Sequence, residues 1–232
     1  MTQKHKVVVF DLDDTLYKEI DFLKSAYQEI ADFFKDKYDI YGLWSEMLRY
    51  NHEGKNVFQE VIDFYKRPVD KELLLNMYRN HIPKIALDDD TKQVLDTLKN
   101  SHFGLGIITD GRTVSQMNKI KALGLEQYFT DERIVISETW GHHKVDGFGY
   151  DLMEEQFPDS DYVYVGDNPE KDFVAANQRG WDTVCLLDDG RNIHKQDFSL
   201  AQEYLPKYKI RKMGELVGLI CHSKEKQQKV FE

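Results

Sequence analysis

The sequence predicts a doubly wound α/β fold, a mostly parallel sheet with crossover helices, carrying a small helical domain. Two observations predict it. Short, continuous apolar runs recur along the chain with helical periodicities between them, the pattern of buried parallel strands joined by right-handed crossovers. From Glu19 to Pro83 that alternation stops, and only helical periodicity is present.

The first run, Val7-Val8-Val9-Phe10, is β-branched and bounded by charge, as a strand buried on both faces should be. Gly104 to Ile108, Ile134 to Ile136, Tyr162 to Val165 and Thr183 to Leu187 repeat the pattern and predict four more strands. Between them, Val94, Leu95 and Leu98 share one helix face. Val114, Met117, Ile120 and Leu123 share another, with Gly124 placed to end that helix. Phe173 to Ala176 fall in a third helix, which Gly180 can end.

Within the insert, Ile20, Leu23, Tyr27, Ile30 and Phe34 form one apolar stripe. Val57, Val61 and Tyr65 begin a second helix, and Leu73, Leu74, Met77 and Tyr78 mark another. A simple crossover is a single helix, so this length implies a subdomain. The expected organisation is a core of residues 1–18 and 84–222, a helical domain of residues 19–83 and a polar tail of residues 223–232.

Composition narrows the function. The 232 residues suit a core with an inserted module, and 41% hydrophobic content is ordinary for a globular chain. A net charge of −10 opposes a nucleic-acid polymer or an anionic membrane as partner, but not one small phosphate ester at a local site. No run approaches the ~18 apolar residues of a membrane helix, and the apolar stretch before Asp11 is too short for a secretory signal. A cytoplasmic location is the expectation. Cys185 and Cys221 stand outside any metal-ligand spacing and read as free thiols.

Four constellations carry chemistry. Asp11-Leu12-Asp13-Asp14-Thr15 follows the first strand, at the end of an open α/β sheet where ligands bind. Asp11 and Asp13, two apart in an extended segment, face one way. Such a pair requires either a proton or a cation between its members. A calcium-binding EF-hand loop is excluded, because Leu16 stands where Gly is needed and Phe22 where a bidentate Glu is needed. Ile108-Thr109-Asp110-Gly111 closes the next strand with a hydroxyl and a turn whose amides can meet an anion. Alone it fits a structural turn better than a phosphate site. Gly104-x-Gly106 opens a strand and lacks a third Gly, so it is no dinucleotide fingerprint. Lys144, in Gly141-His142-His143-Lys144, by itself reads as a surface lysine, and the adjacent histidines as exposed. Gly166-Asp167-Asn168-Pro169-Glu170-Lys171-Asp172 follows another strand; Pro169 is placed to open the next helix, and Asp172 either caps that helix or serves the site.

Together these resemble the haloacid dehalogenase-like hydrolases over nearly the whole chain. Asp11 to Thr15 is similar to the family's first motif, Thr109 to its second, Lys144 to its third and Gly166 to Asp172 to its fourth. The first and last motifs are specific, and the middle two gain their meaning beside them. Two positions depart from the pattern: Val145 follows Lys144 where relatives commonly carry Pro, and Asp110 follows Thr109 where Asn is frequent.

The resemblance implies a Rossmann-like core and a helical cap of the C1 type. It implies a phosphatase with Asp11 as nucleophile, Asp13 as acid and base, and Thr109 and Lys144 as further catalytic groups. Asp11, Leu12, Asp13, Thr109, Asp110, Gly111 and Lys144 would line the phosphate. Asp11, Asp13 and Asp167 would hold Mg²⁺, while Asp172 and Asn168 would support the site. The expected partner is a small phosphorylated metabolite. Asp13 speaks against a dehalogenase and Thr15 against a phosphomutase. The position of Asp11 after the first strand speaks against a signalling receiver, and the complete acidic set against a silent binding protein.

Overall fold

The structure, a computed structural model, describes residues 4–222; the expected polar tail lies outside the described residues. The chain divides into two compact units. Among the described residues one comprises 4–19, 86–113 and 124–222, and the other comprises 20–85 and 114–123.

The first unit is built on a sheet of six parallel strands: β1 (Lys6–Phe10), β2 (Gly104–Thr109), β3 (Ile134–Ile136), β4 (Asp161–Gly166), β5 (Asp182–Leu186) and β6 (Tyr208–Ile210), ordered β3-β2-β1-β4-β5-β6. Val7 to Phe10 are all fully buried, so both faces of β1 are covered. Val7 and Val9 join a core with Tyr150, Met153, Tyr164 and Trp181. At Gly106 the backbone comes so close that an added Cβ would lie 2.6 Å from Met153 Sδ, which is why that position takes no side chain. The strand order reverses direction between β1 and β4, the kind of switch point beside whose strand carboxyl ends open α/β sheets bind ligands.

The expected doubly wound sheet is therefore present, with one strand more than the sequence indicated. β6 has three residues, two of them exposed, and pairs only with β5. Its burial pattern lacks the continuous apolar run that marks the other strands.

The helices are α1 (Glu19–Tyr38), α2 (Leu43–His52), α3 (Val57–Tyr65), α4 (Lys71–Asn80), α5 (Asp89–Asn100), α6 (Thr113–Ala122), α7 (Ser137–Trp140), α8 (Phe148–Gln156), α9 (Val174–Gln178) and α10 (Glu215–His222). The second unit gathers α1 to α4 around a core of its own, which includes Leu23, Tyr27, Ile30, Phe34, Met47, Val61 and Leu74. Helix α2 was not legible as a helix: Gly42 precedes it with no side-chain cap, although Leu43, Met47 and Tyr50 form its buried face.

Helix α6 also belongs to the second unit. Of its expected apolar face Ile120 and Leu123 are buried and Met117 is half-buried, but Val114 is 51% exposed and Ser115, Gln116 and Lys119 are buried as well. The reason is polar. Ser115 donates to the Arg79 carbonyl at 2.8 Å, and Asn118 donates to the carbonyls of Asn80 and His81, satisfying acceptors that the end of α4 leaves open. Among the described residues no helix is long and apolar enough to cross a membrane.

Candidate active site

Asp11 follows β1 directly and Asp167 follows β4, so the two flank the switch point. Asp11, Asp167 and Asp172 each offer an oxygen within 4.8 Å of the others, and all three residues are buried. Lys144 reaches into this group from a short turn: its Nζ lies 2.6 Å from Asp11 Oδ1 and 2.7 Å from Asp172 Oδ1. Val145, which follows it, is turned outward and 46% exposed, so its departure from the family pattern does not keep Lys144 from the site.

Asp172 ties the loop after β4 together. Its Oδ2 accepts the N–H of Asp167 at 3.0 Å and of Asn168 at 2.8 Å, and its own carbonyl accepts the buried Tyr150 hydroxyl. This loop corrects one expectation. Helix α9 begins at Val174, not beside Pro169, and residues 168–173 form turns held by the Asn168 carbonyl, which accepts from Lys171 and Asp172. Asp172 is accordingly no helix cap. Gly166 makes the arrangement possible, since a Cβ there would lie 2.4 Å from Asp172 Oδ2.

The second strand end supplies Thr109, which is buried. The Asp110 carboxylate accepts the Lys144 N–H at 3.1 Å. The Gly111 N–H donates to Ser137 Oγ at 2.9 Å, so this amide would have to exchange that partner to meet a phosphoryl oxygen. Glu138 braces the same turn, accepting from the N–H of Thr113 and the guanidinium of Arg112. Leu12 is fully buried, and the Asp13 carboxylate accepts a 2.5 Å hydrogen bond from the Tyr17 hydroxyl. His142 and His143 are exposed.

Residues 8–186 match the family of haloacid dehalogenase-like hydrolases. The chain belongs to that family. It is 29% identical over 235 residues to the glyceraldehyde 3-phosphate phosphatase of Methanocaldococcus jannaschii, covering 95% of this chain and 99% of that one. It is 26% identical over 237 residues to the ribulose-1,5-bisphosphate 5-phosphatase of Halopiger xanaduensis, covering 92% and 98%. In fold it is similar to a hydrolase of subfamily IA, variant 1, from Geobacter sulfurreducens, with a TM-score of 0.65 at 21% identity and coverage of 94% and 98%.

The charges of this hydrolase's site bear on a metal. Burial, joined by Asp172, pushes the Asp11 carboxyl well above the usual carboxylate range, against the pull of Lys144. Burial raises Asp167 likewise, with Asp172 and Asp11 adding to it. Burial opposes the Lys144 ammonium, but Asp11 and Asp172 more than offset it and its pKa is raised. One lysine thus faces three carboxylates. The two oxygens of Asp172 are engaged by Lys144 and by amides, which leaves Asp11 and Asp167 as the side chains able to hold a hard divalent cation. That donor set fits Mg²⁺.

Several residues that build this site had no mark in the sequence. Ser137, Glu138, Asn192 and Gln196 all hold functional segments by hydrogen bonds. Each comes from a loop or an element end whose composition reads only as polar connection. Asp14, within the first motif, is another: its left-handed backbone (φ 57°) and its bonds from the N–H groups of Glu19 and Ile193 make it a buried brace.

Proposed function

We propose that this hydrolase is a Mg²⁺-dependent phosphatase that cleaves a small phosphomonoester through an aspartyl-phosphate on Asp11. The single observation that carries the reading is the Asp11 carboxylate, buried at the end of β1 and paired at 2.6 Å with Lys144.

An Asp11 oxygen attacks phosphorus as the bond to the substrate oxygen breaks, and Asp13 gives that departing oxygen its proton. Asp13 then takes a proton from water, whose oxygen attacks phosphorus and releases inorganic phosphate, restoring the Asp11 carboxylate. Lys144 and Thr109 bind the phosphoryl oxygens, and Asp172 keeps the Lys144 ammonium in place. Loose phosphoryl-transfer transition states depend chiefly on positioning and charge neutralisation. Asp11 and Asp167 side chains, with the Asp13 main-chain carbonyl, would hold Mg²⁺, which would neutralise phosphoryl charge.

The two phosphatases named above act on glyceraldehyde 3-phosphate and ribulose 1,5-bisphosphate, and phosphorylated small sugars are the substrate class proposed here. Residues 19–83 are proposed to act as the cap that selects it, because the insert leaves the chain a few residues after Asp11 and returns before β2. The test is turnover of glyceraldehyde 3-phosphate, pentose phosphates, p-nitrophenyl phosphate and phosphopeptides, with and without Mg²⁺. The expected result is Mg²⁺-dependent release of phosphate from the small sugar phosphates. Preference for phosphopeptides would overturn the substrate class, and absence of phosphate release from every ester would overturn the phosphatase.

A further inference from the structure

The loop between β5 and β6 grips Asp167 from two sides, although none of the four motifs includes it. Asn192 Nδ2 donates to Asp167 Oδ2 at 2.9 Å, and Gln196 Nε2 donates to the Asp167 main-chain carbonyl at 2.7 Å. The loop itself is firmly built. Asp188 Oδ1 accepts the N–H groups of Gly190, Arg191 and Asn192 at 2.7, 3.0 and 3.0 Å, which fixes the backbone from which the Asn192 side chain extends. The next residue, Ile193, donates its N–H to Asp14 Oδ2 at 3.0 Å, anchoring the loop to the first motif.

Lys18 settles which way the Asn192 amide faces. Its Nζ donates to Asn192 Oδ1 at 2.7 Å. An ammonium has only donors, so the amide oxygen must face Lys18 and the NH₂ must face Asp167. The carboxylate can therefore only accept, and its rotation is set by a donor that cannot be flipped.

We propose that Asn192, oriented by Lys18, is a positioning residue for a divalent cation. It fixes one oxygen of Asp167 and so sets the plane in which the other joins Asp11. The inference rests on the reading of Asp11 and Asp167 as Mg²⁺ ligands. Mg²⁺ demands near-octahedral geometry, so a carboxylate free to rotate is a poor ligand for it. Groups that orient ligands in this way are typically worth about 10- to 100-fold in metal affinity.

The experiment is calorimetric titration of Mg²⁺ into the whole protein and its variants, without substrate. Asn192→Leu, which keeps the branching at Cγ and removes the donor, should raise the Mg²⁺ Kd roughly 10-fold or more. Lys18→Met should raise it less, and the double variant no further than Asn192→Leu, because Lys18 acts through the amide. Asn192→Ala serves if the leucine variant does not fold. A wild-type Kd in the folded Asn192 variants would overturn this inference alone. Losses that simply add would overturn the part given to Lys18. Failure of the unaltered protein to bind Mg²⁺ would instead remove the metal reading on which the inference stands.

Discussion

The ammonium of Lys144 stands 2.6 Å from Oδ1 of Asp11, with both side chains almost wholly buried. Lys144→Ala should cost on the order of 100-fold in kcat, the scale of one electrostatic group at a charged transition state. It should also lower stability, because it leaves Asp11 and Asp172 buried without their cation. Activity is therefore to be measured per folded molecule, with the fraction folded taken from circular dichroism. A silent Lys144→Ala would transfer the role to another cation.

Asp11→Asn should abolish turnover and leave the fold intact. The amide keeps the shape of the carboxylate and can still accept from Lys144, but it cannot form an acyl phosphate. Retention of more than a few per cent of activity by a pure, folded variant would sink the assignment of the nucleophile.

Gly166→Ala tests the architecture behind the site without removing any charged group. Its methyl would lie 2.4 Å from Asp172 Oδ2, 2.7 Å from Cγ and 2.8 Å from Cβ, so Asp172 must shift and the Lys144 ammonium must follow. The expected outcome is a loss of kcat approaching that of Lys144→Ala. Wild-type kcat in the folded variant would show that the placement of Asp172 is immaterial.

Chelation of divalent metal should stop turnover, and added Mg²⁺ should restore it. Asp167→Ala should raise the Mg²⁺ concentration needed for half-maximal activity, since it removes one of two side-chain ligands. Full activity in excess chelator is the result that would count against the metal.

His81 gives the helical unit a pH dependence. Its Nδ1 lies 2.8 Å from the Tyr78 carbonyl, and its ring centroid lies 4.5 Å from that of Phe22. Burial pushes its pKa below the ordinary 6.5, with Lys119 reinforcing the shift and the Tyr78 carbonyl and Glu29 opposing it. Below pH 6.5 the unfolded chain therefore takes up more protons at this residue than the folded one, and stability falls with pH. The benefit of the neutral imidazole is complete above that pH and is lost on acidification. The melting temperature of the wild type should drop more steeply from pH 6.5 to pH 5 than that of His81→Leu. Parallel slopes would refute the assignment.

The strand ends were legible because burying a strand on both faces demands a continuous apolar run, and a carboxylate directly after one needs a reason. Asp11 and Asp167 satisfied that logic, and both strands are where it placed them. Lys144 was legible only through its resemblance to the family, since nothing local marks a lysine that will be buried against Asp11. The α6 face was legible only in part: Ile120 and Leu123 are buried as the periodicity predicts, but periodicity cannot register Ser115 and Asn118 bonding to the open carbonyls of α4. Asn192 left no trace either, because an amide's value depends on the carboxylate it meets across the fold.

The place of β1 in the sheet also orders its assembly in time. It is translated before β2 and β4, yet Val7 pairs with Gly104 and Lys6 with Asp161. Until β2 and β4 leave the ribosome, its apolar edge has no partner in its own chain. Distant pairings of this kind close slowly, because a long loop must be ordered before any contact rewards it. The local helices of the second unit face no such delay. A nascent chain arrested before β2 would carry local helices and an unpaired strand able to join a neighbour, a route to aggregation for unfinished α/β chains.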